Sequence, residues 1–188
     1  PVVIVNGRDE MGRFPSISDD REQGMNLVVD NLLRNGHRKI MAVESSGPEV
    51  RECTIRIDLL RTGSRSQGIE LLSNGVLQAS MNAQDLVRQV LAMPDRPTAL
   101  FCWHDRLAYR ILAACEELGV SVPEQFSVVG YDGLTWPYGT SHTAASVTVD
   151  LQLLAEEAVE LLHGYIGGDA SEVRHSMIPV SFNHGTSL

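Results

Sequence analysis

Positive charge is what this sequence is shortest of. It has 15 Lys and Arg against 24 Asp and Glu in 188 residues, a formal net charge of −9 at pH 7. Affinity for nucleic acid comes largely from clustered cations that neutralise phosphates, so this stretch alone is not expected to hold DNA. No apolar run approaches the ~20 residues that cross a bilayer, so a helical membrane anchor within these residues is excluded. Cysteine is sparse: Cys53, Cys102 and Cys115 are odd in number, far apart and set in apolar or helical runs. That usage reads as buried, reduced thiols in a cytoplasm rather than a disulfide framework. The motifs of common chemistries are missing too. There is no G-x-S-x-G elbow for a serine hydrolase, and no G-x-G-x-x-G or Walker loop for phosphates. The histidines, His37, His104, His142, His163, His175 and His184, are scattered, with no H-E-x-x-H or C-x-x-C spacing for a metal. The expectation is a protein without catalytic residues, metal or cofactor.

What is present is a globular composition, 43% hydrophobic and 21% charged. A chain of this length hides on the order of 70% of its unfolded surface. The start, Pro1-Val2-Val3-Ile4-Val5-Asn6, shows no initiator Met, basic stretch or cleavage site, and it reads as a cut through a longer protein without a signal peptide. Residues 2–5 form a β-branched run expected to be a buried strand, followed by a polar loop through Arg13-Phe14-Pro15. From Asp20 the spacing turns helical, with Met25, Val28, Val29, Leu32 and Leu33 on one side and Gly36 at the stop. Alternation continues: strand 39–43, helix from about Glu52, weak strand 76–79, helix 83–93, strand 98–102, helix 105–118, strand 127–131. A Gly-rich, aromatic loop over 133–142 precedes a strand at 146–149, a helix over 151–166 with Leu154, Ala158, Leu161, Leu162 and Tyr165 on one face, and a last strand at 177–182. Strands separated by helices need crossover connections, so the fold class is α/β with a doubly wound parallel sheet. In such sheets ligands sit outside the carboxyl ends of the strands. Those ends carry Asn6, the segment after Glu44, the Trp103-His104-Asp105 corner and Asp132.

Three ordered motifs carry a resemblance. They are Asn35-Gly36-His37-Arg38-Lys39-Ile40, the run Arg96-Pro97-Thr98-Ala99-Leu100-Phe101-Cys102 leading into Asp105, and Leu118-Gly119-Val120-Ser121-Val122-Pro123-Glu124 continuing to Ser127-Val128-Val129-Gly130-Tyr131-Asp132. With Ile178-Pro179-Val180-Ser181 as a final strand, nearly the whole chain resembles the effector-sensing domain of the lactose-repressor/galactose-repressor family of bacterial transcription regulators. The resemblance implies the type I periplasmic-binding-protein-like fold, with one complete lobe plus a remnant of the second. It assigns residues 19–148 with 179–188 to the C-terminal lobe and 1–18 with 149–178 to the N-terminal remnant. It also implies a homodimer whose DNA contact runs only through a headpiece absent from this chain. Binding of a small sugar-like effector between two lobes would shift their closure.

Site residues follow from the same resemblance. Arg56, near the start of a helix, matches the effector-binding arginine, whose planar fork can pair two hydroxyls or a carboxylate; Arg51 and Arg61 compete for that place. Asp132, at the end of a buried strand, can accept two sugar hydroxyls, or serve as a turn residue. His104 stands where the family places an effector-bonding Asn, with Asp105 beside it expected to cap the following helix. Asn6 matches an effector-facing position of the other lobe, although Asn-Gly is also a turn signal. Gln78 is a further candidate, and Trp103 is expected to pack in the core. The function implied is effector sensing in a transcription regulator. The alternatives are a periplasmic sugar-binding protein of a transporter and a small α/β hydrolase.

Overall fold

In the order of the chain, β1 (Ile4–Val5), β2 (Ser16–Asp19), α1 (Arg21–Arg34), β3 (Lys39–Glu44), α2 (Val50–Ser66), β4 (Glu70–Gln78), α3 (Ala83–Ala92) and β5 (Ala99–Cys102) come first. They are followed by α4 (Asp105–Glu117), β6 (Ser127–Asp132), β7 (Ala145–Val149), α5 (Leu151–Gly167), β8 (His175–Ile178) and β9 (Val180–Asn183). These elements come from a computed structural model that describes residues 1–7, 9, 11–44, 50–78, 82–168 and 173–188, the side chains of 50 and 73–78 lying outside that description.

The strands make two sheets, a three-stranded one in the order β1-β2-β8 and a six-stranded one in the order β4-β3-β5-β6-β7-β9. The registered pairs β1/β2, β2/β8, β3/β4, β3/β5, β5/β6 and β6/β7 are all parallel. In the larger sheet β4 and β5 lie on opposite sides of β3, so successive crossovers run in opposite directions. Right-handed crossovers then put α2 on one face and α3 and α4 on the other, which is the expected doubly wound arrangement.

The chain divides into two compact units, Pro1–Gln23 with Val149–Val180, and Gly24–Thr148 with Ser181–Leu188. In the larger unit α4 buries Leu107, Ala108, Ile111, Leu112, Ala114 and Cys115. In the smaller one α5 covers the sheet through Leu154 and Ala158, which pack with Ile17 and Ile178. The smaller unit leaves Val5, Met11, Ile166 and Met177 well exposed.

Two expectations need correction, and one strand, over residues 16–19, had no expectation set on it. The strand expected over 2–5 is only two residues long, because only Ile4 and Val5 find ladder partners, Ser16 and Ile17. Ser16-Ile17-Ser18-Asp19, polar enough to pass for loop, is instead the buried central strand of the small sheet. Its hydroxyls are satisfied locally, Ser16 Oγ with His175 Nδ1 at 2.9 Å and Ser18 Oγ on the Asp19 carbonyl at 3.1 Å. The single strand expected over 177–182 is two, β8 and β9, in different sheets; they part at Pro179, which has no N–H to continue a ladder. Lesser shifts are at the ends of elements, β4 beginning at Glu70 rather than in the middle seventies.

Candidate binding site at the strand ends

Because β3, β5 and β6 run parallel, their carboxyl ends share one edge of the larger sheet, and the chain leaves it at Glu44, at Trp103-His104 and at Asp132. Arg56 reaches the same edge from α2. Its helix face turns inward, leaving Arg56 3% exposed. Burying a guanidinium demands partners, and it has three. Nη1 donates to the Trp103 carbonyl at 2.5 Å, Nη2 donates to Asp132 Oδ1 at 3.0 Å, and the guanidinium carbon lies 3.8 Å over the Tyr131 ring. Two buried donors are left over. Among the described residues, neither Arg56 Nε nor the indole Nε1 of Trp103 has a hydrogen-bond partner. Asp132, with its side chain 28% exposed, still faces solvent in part.

The Asp132 backbone is strained, with φ 110°, where a residue with a Cβ rarely sits. The amides that follow it are tied down: Gly133 N–H donates to Ser146 Oγ at 3.3 Å and Leu134 N–H donates to Asp105 Oδ2 at 2.5 Å. Here the expected role of Asp105 is overturned. The cap of α4 is His104, extended at φ −153°, whose Nδ1 accepts from Leu107 N–H at 3.0 Å. That bond puts the proton of the neutral ring on Nε2. Asp105, in the first turn, points inward, is wholly buried and also accepts from Ser146 Oγ at 2.6 Å. Its carboxyl is pushed up to about 7, first by burial, against the pull of the Ser146 and Leu134 hydrogen bonds and with a further rise from the charge of Asp132. Cys102, at the end of β5, is pushed well above the ordinary thiol value by burial and then by Asp105. Cys53, Cys102 and Cys115 are all buried, and none is in a disulfide.

Arg56, His104 and Asp132 are thus gathered at one edge, and of the competing arginines Arg51 is exposed and Arg61 pairs on the surface with Asp58. Asn6 lies in the smaller unit, in a turn at φ 57° after β1, and its carbonyl accepts from Arg21 Nη2 at 3.2 Å. Gln78 ends β4, and its side chain, like the segment Ser45-Ser46-Gly47-Pro48, falls outside the described residues. Trp103 is buried as expected, at 6% exposure, but its carbonyl is also a ligand of Arg56. Tyr131 as the platform for Arg56 went unread, and its one signal was an aromatic beside Asp132 in a buried strand.

The chain is thus an α/β domain whose doubly wound parallel sheet carries a buried Arg56, paired with the part-exposed Asp132, at its carboxyl edge. The chain belongs to the periplasmic binding protein-like domain family, which matches residues 29–188. Among curated relatives, the HTH-type transcriptional repressor PurR of Photobacterium profundum is 30% identical over 165 residues, covering 86% of this chain and 49% of that protein. The arabinose metabolism transcriptional repressor of Geobacillus stearothermophilus is 29% identical over 172 residues, covering 86% and 46%. A LacI family transcriptional regulator from Enterococcus faecium, solved with bound ribose, superposes with a TM-score of 0.81 at 21% identity, covering 100% of this chain and 70% of that one. The resemblance drawn from the motifs agrees with these matches. The chain spans about half the length of the curated relatives it matches.

Proposed function

We propose that the chain is the effector-sensing part of a bacterial transcription regulator, and that a small polar metabolite, a sugar or sugar derivative, binds at the Arg56–Asp132 edge. The observation that carries this is the pair itself: a buried guanidinium fixed on Tyr131 and the Trp103 carbonyl, with Nε unspent, beside a carboxylate still open to solvent. Asp132 supplies acceptor lone pairs and Arg56 Nε a donor, which together suit hydroxyls that both donate and accept. His104, whose Nδ1 caps α4, is proposed as a further contact. Gln78 is proposed at the end of β4, and Asn6 as a separate candidate on the smaller unit. The two units are proposed to be the lobes of the family's fold, in a cytoplasmic homodimer that touches DNA only through a segment not included in this chain. Binding would alter DNA affinity only by favouring one arrangement of the intact protein. Relatives named for transcriptional repression, one of them of arabinose metabolism, support a regulatory and non-catalytic role.

Titration calorimetry of this chain against a monosaccharide panel that includes ribose and arabinose tests the reading. A charge-assisted contact is worth about 1.5–3 kcal/mol, so Arg56→Met or Asp132→Ala should each weaken the bound sugar roughly 10- to 150-fold. Wild-type affinity in both variants would remove these residues from the site.

A further inference from the structure

The carboxylate of Asp105 sits where two proton arrangements meet. Oδ2 accepts from Leu134 N–H and Oδ1 from Ser146 Oγ, while Ser146 Oγ also accepts from Gly133 N–H and lies 3.1 Å from the Val147 carbonyl. Both amides that follow Asp132 therefore end on one Asp105–Ser146 clamp. The fit is close, since a methyl group added at Gly130 would collide with Asp105 Oδ1. A hydroxyl has a single proton, so Ser146 can donate to Asp105 or to the Val147 carbonyl, never to both. With Asp105 ionised, the Ser146 proton goes to Oδ1. With Asp105 neutral, the carboxyl O–H donates to Ser146 Oγ and Ser146 donates onward to Val147. The two forms differ by one proton taken from or returned to water.

We propose that Asp105 is a positioning residue for Asp132: through Ser146, Gly133 and Leu134 it sets the strained backbone that aims the Asp132 carboxylate at Arg56, and it does so in two forms that differ by one proton. The ionised form holds Leu134 N–H by a charge-assisted bond, and the neutral form by a weaker one. Among the described residues, the groups bearing on Asp105 are Asp132 from the end of β6, Cys102 from the end of β5 and the Ser146 hydroxyl from β7, with His104 next to it in the chain. Burial and the Asp132 charge together bring the carboxyl to about 7, so both forms are populated at neutral pH. The proposed function gives this positioning its consequence for a ligand. The positioning itself is read on the ligand-free protein.

The test is an NMR titration of the isotope-labelled chain between pH 5.5 and 8.5, following the Leu134 amide and the Arg56 Nε–H. In wild type both signals should shift with one midpoint near 7. Asp105→Asn, whose amide accepts from Leu134 N–H and donates to Ser146 Oγ, copies the neutral form and should hold both signals at their wild-type low-pH positions across the range. Ser146→Ala removes a donor to the carboxylate and should move the midpoint upward, which keeps the proposal testable should Asp105→Asn fail to fold. An Arg56 signal that stays still while Leu134 shifts would leave Asp105 a purely structural residue. A step that survives in Asp105→Asn would belong to another group, such as the adjacent His104, and either result overturns the proposal. Failure of every sugar to bind would instead refute the proposed function and leave these titrations as they are.

Discussion

Of the two partners in the Arg56–Asp132 pair, removing the more exposed one should cost more. Arg56 is 3% exposed, and a guanidinium cannot shed its proton to escape burial. In Asp132→Ala that cation loses its counter-charge and keeps, among the described residues, the Trp103 carbonyl and the face of Tyr131. Breaking a buried pair from one side typically costs about 3–5 kcal/mol. The reverse change, Arg56→Met, leaves a carboxylate whose side chain is 28% exposed and can rehydrate. Its loss is chiefly that of the hydrogen bonds to Asp132 and to the Trp103 carbonyl, about 1.5–3 kcal/mol. Part of that is returned, because a thioether no longer has to be stripped of water and fills most of the space of the arginine stem. Asp132→Ala should therefore be the worse variant by about 1–2 kcal/mol, and the double variant should cost less than the sum of the two. Urea unfolding followed by tryptophan fluorescence suits the measurement, since Trp103 and Trp136 both lie in the larger unit. If Arg56→Met proves the more destabilising, or the two costs simply add, then the pair is not the buried ion pair described.

Other outcomes can be checked on the same protein. Asp105 has its folded value raised from 3.8 to about 7, so its contribution to stability is full below 3.8 and is lost as pH rises through about 7. That interval corresponds to roughly 4 kcal/mol at most, and Asp105→Asn should flatten this part of the pH–stability curve and exceed wild type at pH 8; parallel curves would refute it. With a net charge of −9, the chain alone should give no salt-sensitive gel shift on duplex DNA, and a shift competed by polyanion would refute that. The exposed Ile166 and Met177 of the smaller unit should promote self-association, so Ile166→Glu with Met177→Glu should lower the mass seen by light scattering; an unchanged monomer in both proteins would count against it.

What the sequence showed, and what it hid, divides by the range of the forces involved. The β-branched and apolar runs at β3, β5 and β6 are buried along their lengths, so their periodicity alone announces parallel strands in a covered sheet. Asp132 was legible because it ends such a run. Arg56 was legible by resemblance, yet nothing local chooses it over Arg51 or Arg61. That choice is made by a carboxylate 76 residues away and by the Tyr131 ring. The strand β2 was hidden for a related reason. Two serines and an aspartate have no apolar signal, and they become strand because β1 and β8 flank them and His175 bonds Ser16. Propensity measures a residue's fit to a half-buried surface, and here the neighbours supply that surface.

The exchange of roles between His104 and Asp105 shows the same logic at the level of single atoms. Either residue has an acceptor that could cap α4, and aspartate is ordinarily the better one. Asp105 is spent elsewhere because two distant positions make room for it. Gly130 has no side chain where Oδ1 lies, and Ser146 brings a hydroxyl to meet it, 41 residues along the chain. Once the carboxylate is drawn inward, the free helix amides still need an acceptor, and Nδ1 of His104 provides it. The cap thus commits Nδ1 of His104 to the helix. A change at Gly130 or Ser146, neither placed at the ligand edge by sequence reasoning, should for that reason disturb Asp105 first and, through Leu134 and Gly133, Asp132 next.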